Sequence, residues 1–162
     1  MSAAAYFHLS FAPNIKLVST VRRFTGEFYR RIIPDEDVAA RLALATHELL
    51  ENAVAYAADG DTGVRIELDA PNLTVRTWNR VKSPQLHDLT TAIDELNKAP
   101  DADAYYQQML MRATTRTEGS GLGLARIRAE ADMAVSYQIE GGDRVCVIAQ
   151  TRIAPEARGG AA

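Results

Sequence analysis

A chain of 162 residues, 47% apolar and 24% charged, can build one hydrophobic core and lacks the charge excess of a disordered polypeptide. A net charge of −3 with scattered arginines excludes a basic, polyanion-binding surface, so no nucleic-acid partner is expected. One cysteine and three dispersed histidines exclude an intrachain disulfide and a metal cage built from protein ligands alone.

The opening residues, MSAAAYFHLSF, have no basic leader and no long apolar run, and no later segment reaches membrane-spanning length. A cytoplasmic protein with no membrane partner is expected. Residues 4–11 mix apolar and polar positions around Tyr6, Phe7, Leu9 and Phe11, which predicts a strand ending before Pro13. From Asn14, a candidate cap, Leu17, Val21, Phe24 and Phe28 recur at spacings of four and three and predict an amphipathic helix. Pro34 to Asp37 closes that helix and opens a second, with carboxylates in its first turn to complement the helix dipole. The second helix is expected to run to about Ala58, with Val38, Leu42, Ala45, Leu49, Ala53 and Tyr56 as its apolar stripe.

Asp59 to Gly63 reads as a turn cluster, followed by strands over 64–69 and 73–78 joined through Ala70-Pro71-Asn72. Ser83-Pro84 suits the cap and first turn of a helix over 84–98, and Pro100 separates it from another over 101–115 carrying Tyr105, Tyr106 and Met109. A polar stretch, Thr114 to Glu118, leads into Gly119-Ser120-Gly121-Leu122-Gly123-Leu124. Helical spacing resumes through Glu130, and strands over 133–140 and 144–153 close the domain. The expected organisation is one domain over 1–153 and a disordered tail over 154–162. The fold class is α+β, a two-layer α/β sandwich whose mixed sheet carries helices on one face, because strands and helices do not alternate as in a doubly wound sheet.

Two constellations carry chemistry. Alternate glycines, Gly119, Gly121 and Gly123, bring unobstructed N–H groups to the start of a helix, where the dipole favours an anion. The spacing is not that of a P-loop, since Leu124 stands where a lysine is required, nor of a dinucleotide fingerprint, which follows a strand directly. A flexible linker or a plain helix start reads the same segment equally well. The second constellation is His47-Glu48-Leu49-Leu50-Glu51-Asn52-Ala53. Glu48 and Asn52 lie one helical turn apart, a carboxylate able to accept a proton and an amide oxygen able to ligate Mg²⁺ shared with phosphates. Ordinary surface polarity is the competing reading, and His47 with Glu51 forms a second pair expected to meet solvent.

Together these two segments resemble the gyrase, chaperone, histidine-kinase and MutL (GHKL) ATPase superfamily, with its Bergerat ATP-binding fold. The local likeness is to anti-sigma-factor serine kinases and SiaB-like partner-switching kinases, over about residues 5–153. ELLENAVAYA matches the superfamily's N-box and GSGLGLARI its later glycine box. The resemblance implies ATP and Mg²⁺ as cofactors, Glu48 as general base, and Asn52 as the Mg²⁺ ligand. It implies a phosphate cradle from Gly119, Ser120, Gly121, Leu122, Gly123 and Leu124, and a mobile lid between Lys98 and Glu118. One departure stands out. The Asp-x-Gly-x-Gly box that follows the next strand in the superfamily is absent from Leu73 to Val81, where Asn79 either faces the adenine amino group or closes the strand as a turn residue. Arg116 could reach a terminal phosphate or stay solvated. The implied function is a serine/threonine kinase acting on a small STAS-like or SiaC-like antagonist protein, with a homodimer possible. The alternative is a catalytically inactive interaction module of the same fold.

Overall fold

The computed structural model describes residues 4–114 and 121–154. Within them the chain runs β1 (Ala5–Phe11), α1 (Ile15–Ile32), α2 (Glu36–Ala55), β2 (Thr62–Asp69), β3 (Asn72–Arg80), α3 (Ser83–Lys98), α4 (Ala102–Ala113), α5 (Gly121–Ala131), β4 (Ala134–Glu140) and β5 (Arg144–Arg152).

The helices start where short polar side chains meet backbone N–H groups that have no partner inside the helix. Asn14 accepts from the Lys16 amide at 2.9 Å. Asp35 accepts from the Asp37 and Val38 amides at 3.0 Å each, and Asp101 does the same for Ala104. Ser83 is the first residue of α3 rather than its cap; Lys82 holds that position without a side-chain bond, and Pro84 supplies the pre-set first turn. α2 stops at Ala55, short of Ala58, because the Ala58 amide leaves the helix to donate to the Arg80 carbonyl at 2.8 Å. That bond ties the end of α2 to the end of β3.

The strands form one sheet in the order β1-β2-β3-β5-β4. Every pairing among the described residues is antiparallel, which corrects the expectation of a mixed sheet. α3, α4 and α5 carry the chain to the far edge, where β4 runs in the direction of β3. The tight β4–β5 hairpin then inserts β5 between them, so β3 meets a strand of opposite direction.

Alternation along the strands sorts the two faces. Val64 and Ile66 on β2, Leu73, Val75, Thr77 and Asn79 on β3, and Val145, Val147 and Ala149 on β5 are buried under the helices. The other face carries Arg65, Glu67, Arg76 and Trp78, and no described helix covers it. Arg65 and Arg76 both bond to Glu67, and Trp78 stacks on His8 with ring centres 5.1 Å apart. Thr62 and Gly63 belong to β2 rather than to a turn. Gly63 is wedged so tightly that a Cβ would lie 2.2 Å from the Trp78 ring and 2.5 Å from the Leu9 carbonyl oxygen.

The buried stripe of α1 is Val18, Val21, Thr25 and Tyr29, not the expected run through Leu17 and Phe24, both of which are exposed. Tyr29 sets this register. Its hydroxyl lies 2.6 Å from the Thr46 hydroxyl of α2, fully buried, and so finds the partner a buried phenol requires. Phe24, turned outward, stacks on Phe7 of β1 at 5.0 Å. α2 lies at the centre of the helical layer, burying Leu42, Ala45, Leu49, Leu50 and Ala53; each such leucine contributes roughly 1.5–3 kcal/mol. The result is the expected two-layer α+β sandwich. Among the described residues no helix is long and apolar enough to cross a membrane.

Candidate functional site

Packing α5 against α2 brings the two chemistry-bearing segments together. Leu124, Ala125 and Ile127 anchor α5 in the core, and this fixes which side of its first turn faces α2. A Cβ at Gly123 would lie 2.8 Å from Oε2 of Glu48 and 3.8 Å from Nδ2 of Asn52. The glycine therefore lies where the acid and the amide of α2 both come close to α5.

Asn52 is the strongest indication of a missing partner. Its Nδ2 is buried and makes no hydrogen bond. Since a side-chain amide can be turned over, the physical fact is a buried polar end aimed at the α5 side with nothing to bond. Such a group costs roughly 1–3 kcal/mol unless a ligand or water meets it.

Asn79 sits across from Asn52. It is 2% exposed and belongs to the helix-facing row of β3, so it does not close the strand as a surface turn residue. Asn52 and Asn79 line one small cavity with Leu49, Ala53, Thr77, Leu89, Leu124 and Val147. Its volume is about 10 Å³, about one water, whereas small-molecule pockets run from roughly 300 to 1,000 Å³. Leu89 of α3 forms one wall of this cavity, and Met109 of α4 lies against the start of α5: a Cβ at Gly121 would lie 2.5 Å from its Cε. The cavity is lined correctly for a planar, amide-bonding group, with Asn52 and Asn79 as its polar side chains of amide type.

Glu48 is mostly buried, its side chain 19% exposed, and its Oε1 accepts from Nη1 of Arg126 at 3.3 Å. The same guanidinium donates through Nε to Glu130 one turn further along α5, at 3.0 Å. The Glu130 bond foremost raises the Arg126 pKa above the ordinary guanidinium value, so the group stays a cation. His47 departs from expectation. Its side chain is 17% exposed and Nδ1 is buried without a partner, while Glu51, 3.6 Å from Nε2, does meet solvent.

Of the residues singled out in the sequence, Glu48, Asn52, Asn79, Gly121, Leu122, Gly123 and Leu124 fall on α2, the end of β3 and the first turn of α5. Gly119, Ser120 and Arg116 lie outside the described residues, as does the tail beyond Ala154. Tyr105, Tyr106 and Met109 are half-buried packing residues of α4, and Trp78 is a half-buried residue of the open sheet face. Thr77 and Leu89 were not anticipated as lining residues, nor Arg126 as a partner of Glu48. The period-two row that selects Asn79 also selects Thr77, whereas nothing local to Arg126 announces a contact with α2.

The chain matches the family described as histidine kinase-like ATPase domain over residues 11–150. No protein of curated function is significantly similar in sequence. Among solved structures, a chain of the SiaB–SiaC complex from Pseudomonas aeruginosa has the same fold, with a TM-score of 0.66 and 17% sequence identity, over 88% of each chain.

Proposed function

Because this chain belongs to the histidine kinase-like ATPase domain family, we propose that it is an ATP-dependent partner-switching regulator, a serine/threonine kinase acting on a small antagonist protein. The observation that carries the reading is the convergence of Glu48 and Asn52 on Gly123, in the first described turn of α5.

In this reading the amides at the start of α5 receive the phosphates, and Asn52 holds Mg²⁺ through its amide oxygen. Among the described residues no three His, Cys, Asp or Glu side chains gather, which suits a cation that shares its ligands with phosphate. Bound Mg²⁺ supplies neutralisation of the phosphate charge. Asn79 faces the adenine amino group in place of the aspartate the family usually carries. Glu48 takes the proton of the acceptor hydroxyl as the γ-phosphoryl group passes to that oxygen and ADP leaves. α4, whose Met109 lies against Gly121 at the start of α5, belongs to the segment that would cover a bound nucleotide. A chain of the same fold has been solved with SiaC, which supports a small SiaC-like or STAS-like protein as the partner.

The test is transfer of label from γ-labelled ATP to such an antagonist in the presence of Mg²⁺. The proposal expects a phosphorylated serine or threonine and its loss in Glu48→Gln. The absent Asp-x-Gly-x-Gly box favours a second reading, an interaction module without catalysis. It expects the antagonist to bind and remain unlabelled.

A further inference from the structure

Glu48 presents its two carboxylate oxygens to different surroundings. Oε1 is held by the Arg126 guanidinium at 3.3 Å, and Arg126 is the only hydrogen-bond partner of the Glu48 side chain among the described residues. Oε2 points to the notch left by Gly123, beside the orphaned amide of Asn52. Arg126 is itself braced, because Glu130 takes its Nε at 3.0 Å from one helical turn away. A charged donor on one oxygen restrains the rotation of a carboxylate on a flexible side chain.

We propose that Arg126 is a positioning residue for Glu48, anchoring Oε1 so that Oε2 alone is turned toward the cleft to accept the proton. The inference rests on the kinase reading, in which Glu48 is the base, but concerns a residue that reading does not use. Arg126 touches neither nucleotide nor acceptor in this scheme. It acts through Glu48, and Glu130 holds Nε of the same guanidinium. Both Gly123 and Arg126 stand on the same helix, so one rigid element supplies the space for the base and the donor that orients it.

The experiment is phosphoryl transfer by the full chain, with KM for Mg-ATP and turnover measured separately. Arg126→Met is expected to lower turnover about tenfold, the scale of losing a group that orients a catalytic ligand, with KM unchanged. Arg126→Lys, which keeps a charged donor, is expected to recover most of the loss. In a Glu48→Gln background Arg126→Met is expected to have no further effect, because the carboxylate it orients is gone. A parent-like Arg126→Met, or an equal loss with and without Glu48, overturns this proposal while leaving the kinase reading intact. A parent protein whose turnover ignores Glu48→Gln, or that has none, overturns the kinase reading and this proposal with it. Mg-ATP affinity of each variant, by calorimetry, separates misfolding from lost orientation.

Discussion

Gly123 of α5 faces Glu48 of α2 across a gap that admits no side chain: a Cβ would stand 2.8 Å from Oε2. The glycine box is usually understood through the freedom of its backbone, but here its last glycine also makes room for a carboxylate. The crowding atom is the far end of a flexible side chain, so Glu48 can move aside. Gly123→Ala is therefore expected to fold with a melting temperature near that of the parent, and to lose phosphoryl transfer at least tenfold, as orientation losses of about an ångström do. A folded variant with parent-like transfer would show that Oε2 need not occupy this place.

The Tyr29–Thr46 bond holds α1 on α2, and α2 carries the site. Removing one hydroxyl leaves the other buried and unpaired, so Tyr29→Phe is expected to cost roughly 1–3 kcal/mol in urea unfolding. Burial raises the Tyr29 pKa, with the Thr46 bond opposing it only partly. A group whose folded pKa lies above its unfolded value contributes stability that is present below the unfolded value and lost as pH rises beyond it. The parent should therefore lose stability above about pH 10, and Tyr29→Phe should lose less over the same range.

On the open face, Glu67 accepts from Arg65 at 2.8 Å and Arg76 at 2.8 Å. The Arg65 hydrogen bond, foremost, lowers the carboxyl's pKa below the ordinary glutamate value. The sign is opposite to that of Tyr29: the contribution is present above the ordinary glutamate pKa and is lost as the pH falls through the lower folded value. These side chains are each more than a third exposed, so solvent screening leaves no more than about 1 kcal/mol. Glu67→Gln should flatten the acid limb of stability by that amount and leave nucleotide binding unaltered, as followed by thermal melts between pH 3 and pH 6.

Much of the site was legible because it depends on local period. Glu48 and Asn52 share a helix face at any register, and alternation along β3 directs Asn79 inward once Leu73 and Val75 are recognised as core. Long-range relations were not legible. The outward turn of Phe24 follows from Tyr29 finding Thr46, a pairing between helices that no spacing within α1 encodes. The antiparallel partner of β3 depends on β5 entering between β3 and β4. Arg126 reads as one half of an i,i+4 pair with Glu130, and its reach to Glu48 exists only once α2 and α5 are packed. His47, whose spacing with Glu51 points it to solvent, is largely covered in the folded chain, which no spacing within α2 encodes.

The central claim is that a Mg²⁺-bearing nucleotide is held between the face of α2 that carries Asn52 and the first turn of α5. Calorimetric titration of ATP with and without Mg²⁺, into the parent and into Asn52→Ala, measures this most directly. The account predicts binding to the parent that strengthens with Mg²⁺, and loss of that Mg²⁺ dependence in Asn52→Ala. No heat of binding to the parent at millimolar Mg-ATP, or an Asn52→Ala titration that matches the parent's, would contradict it.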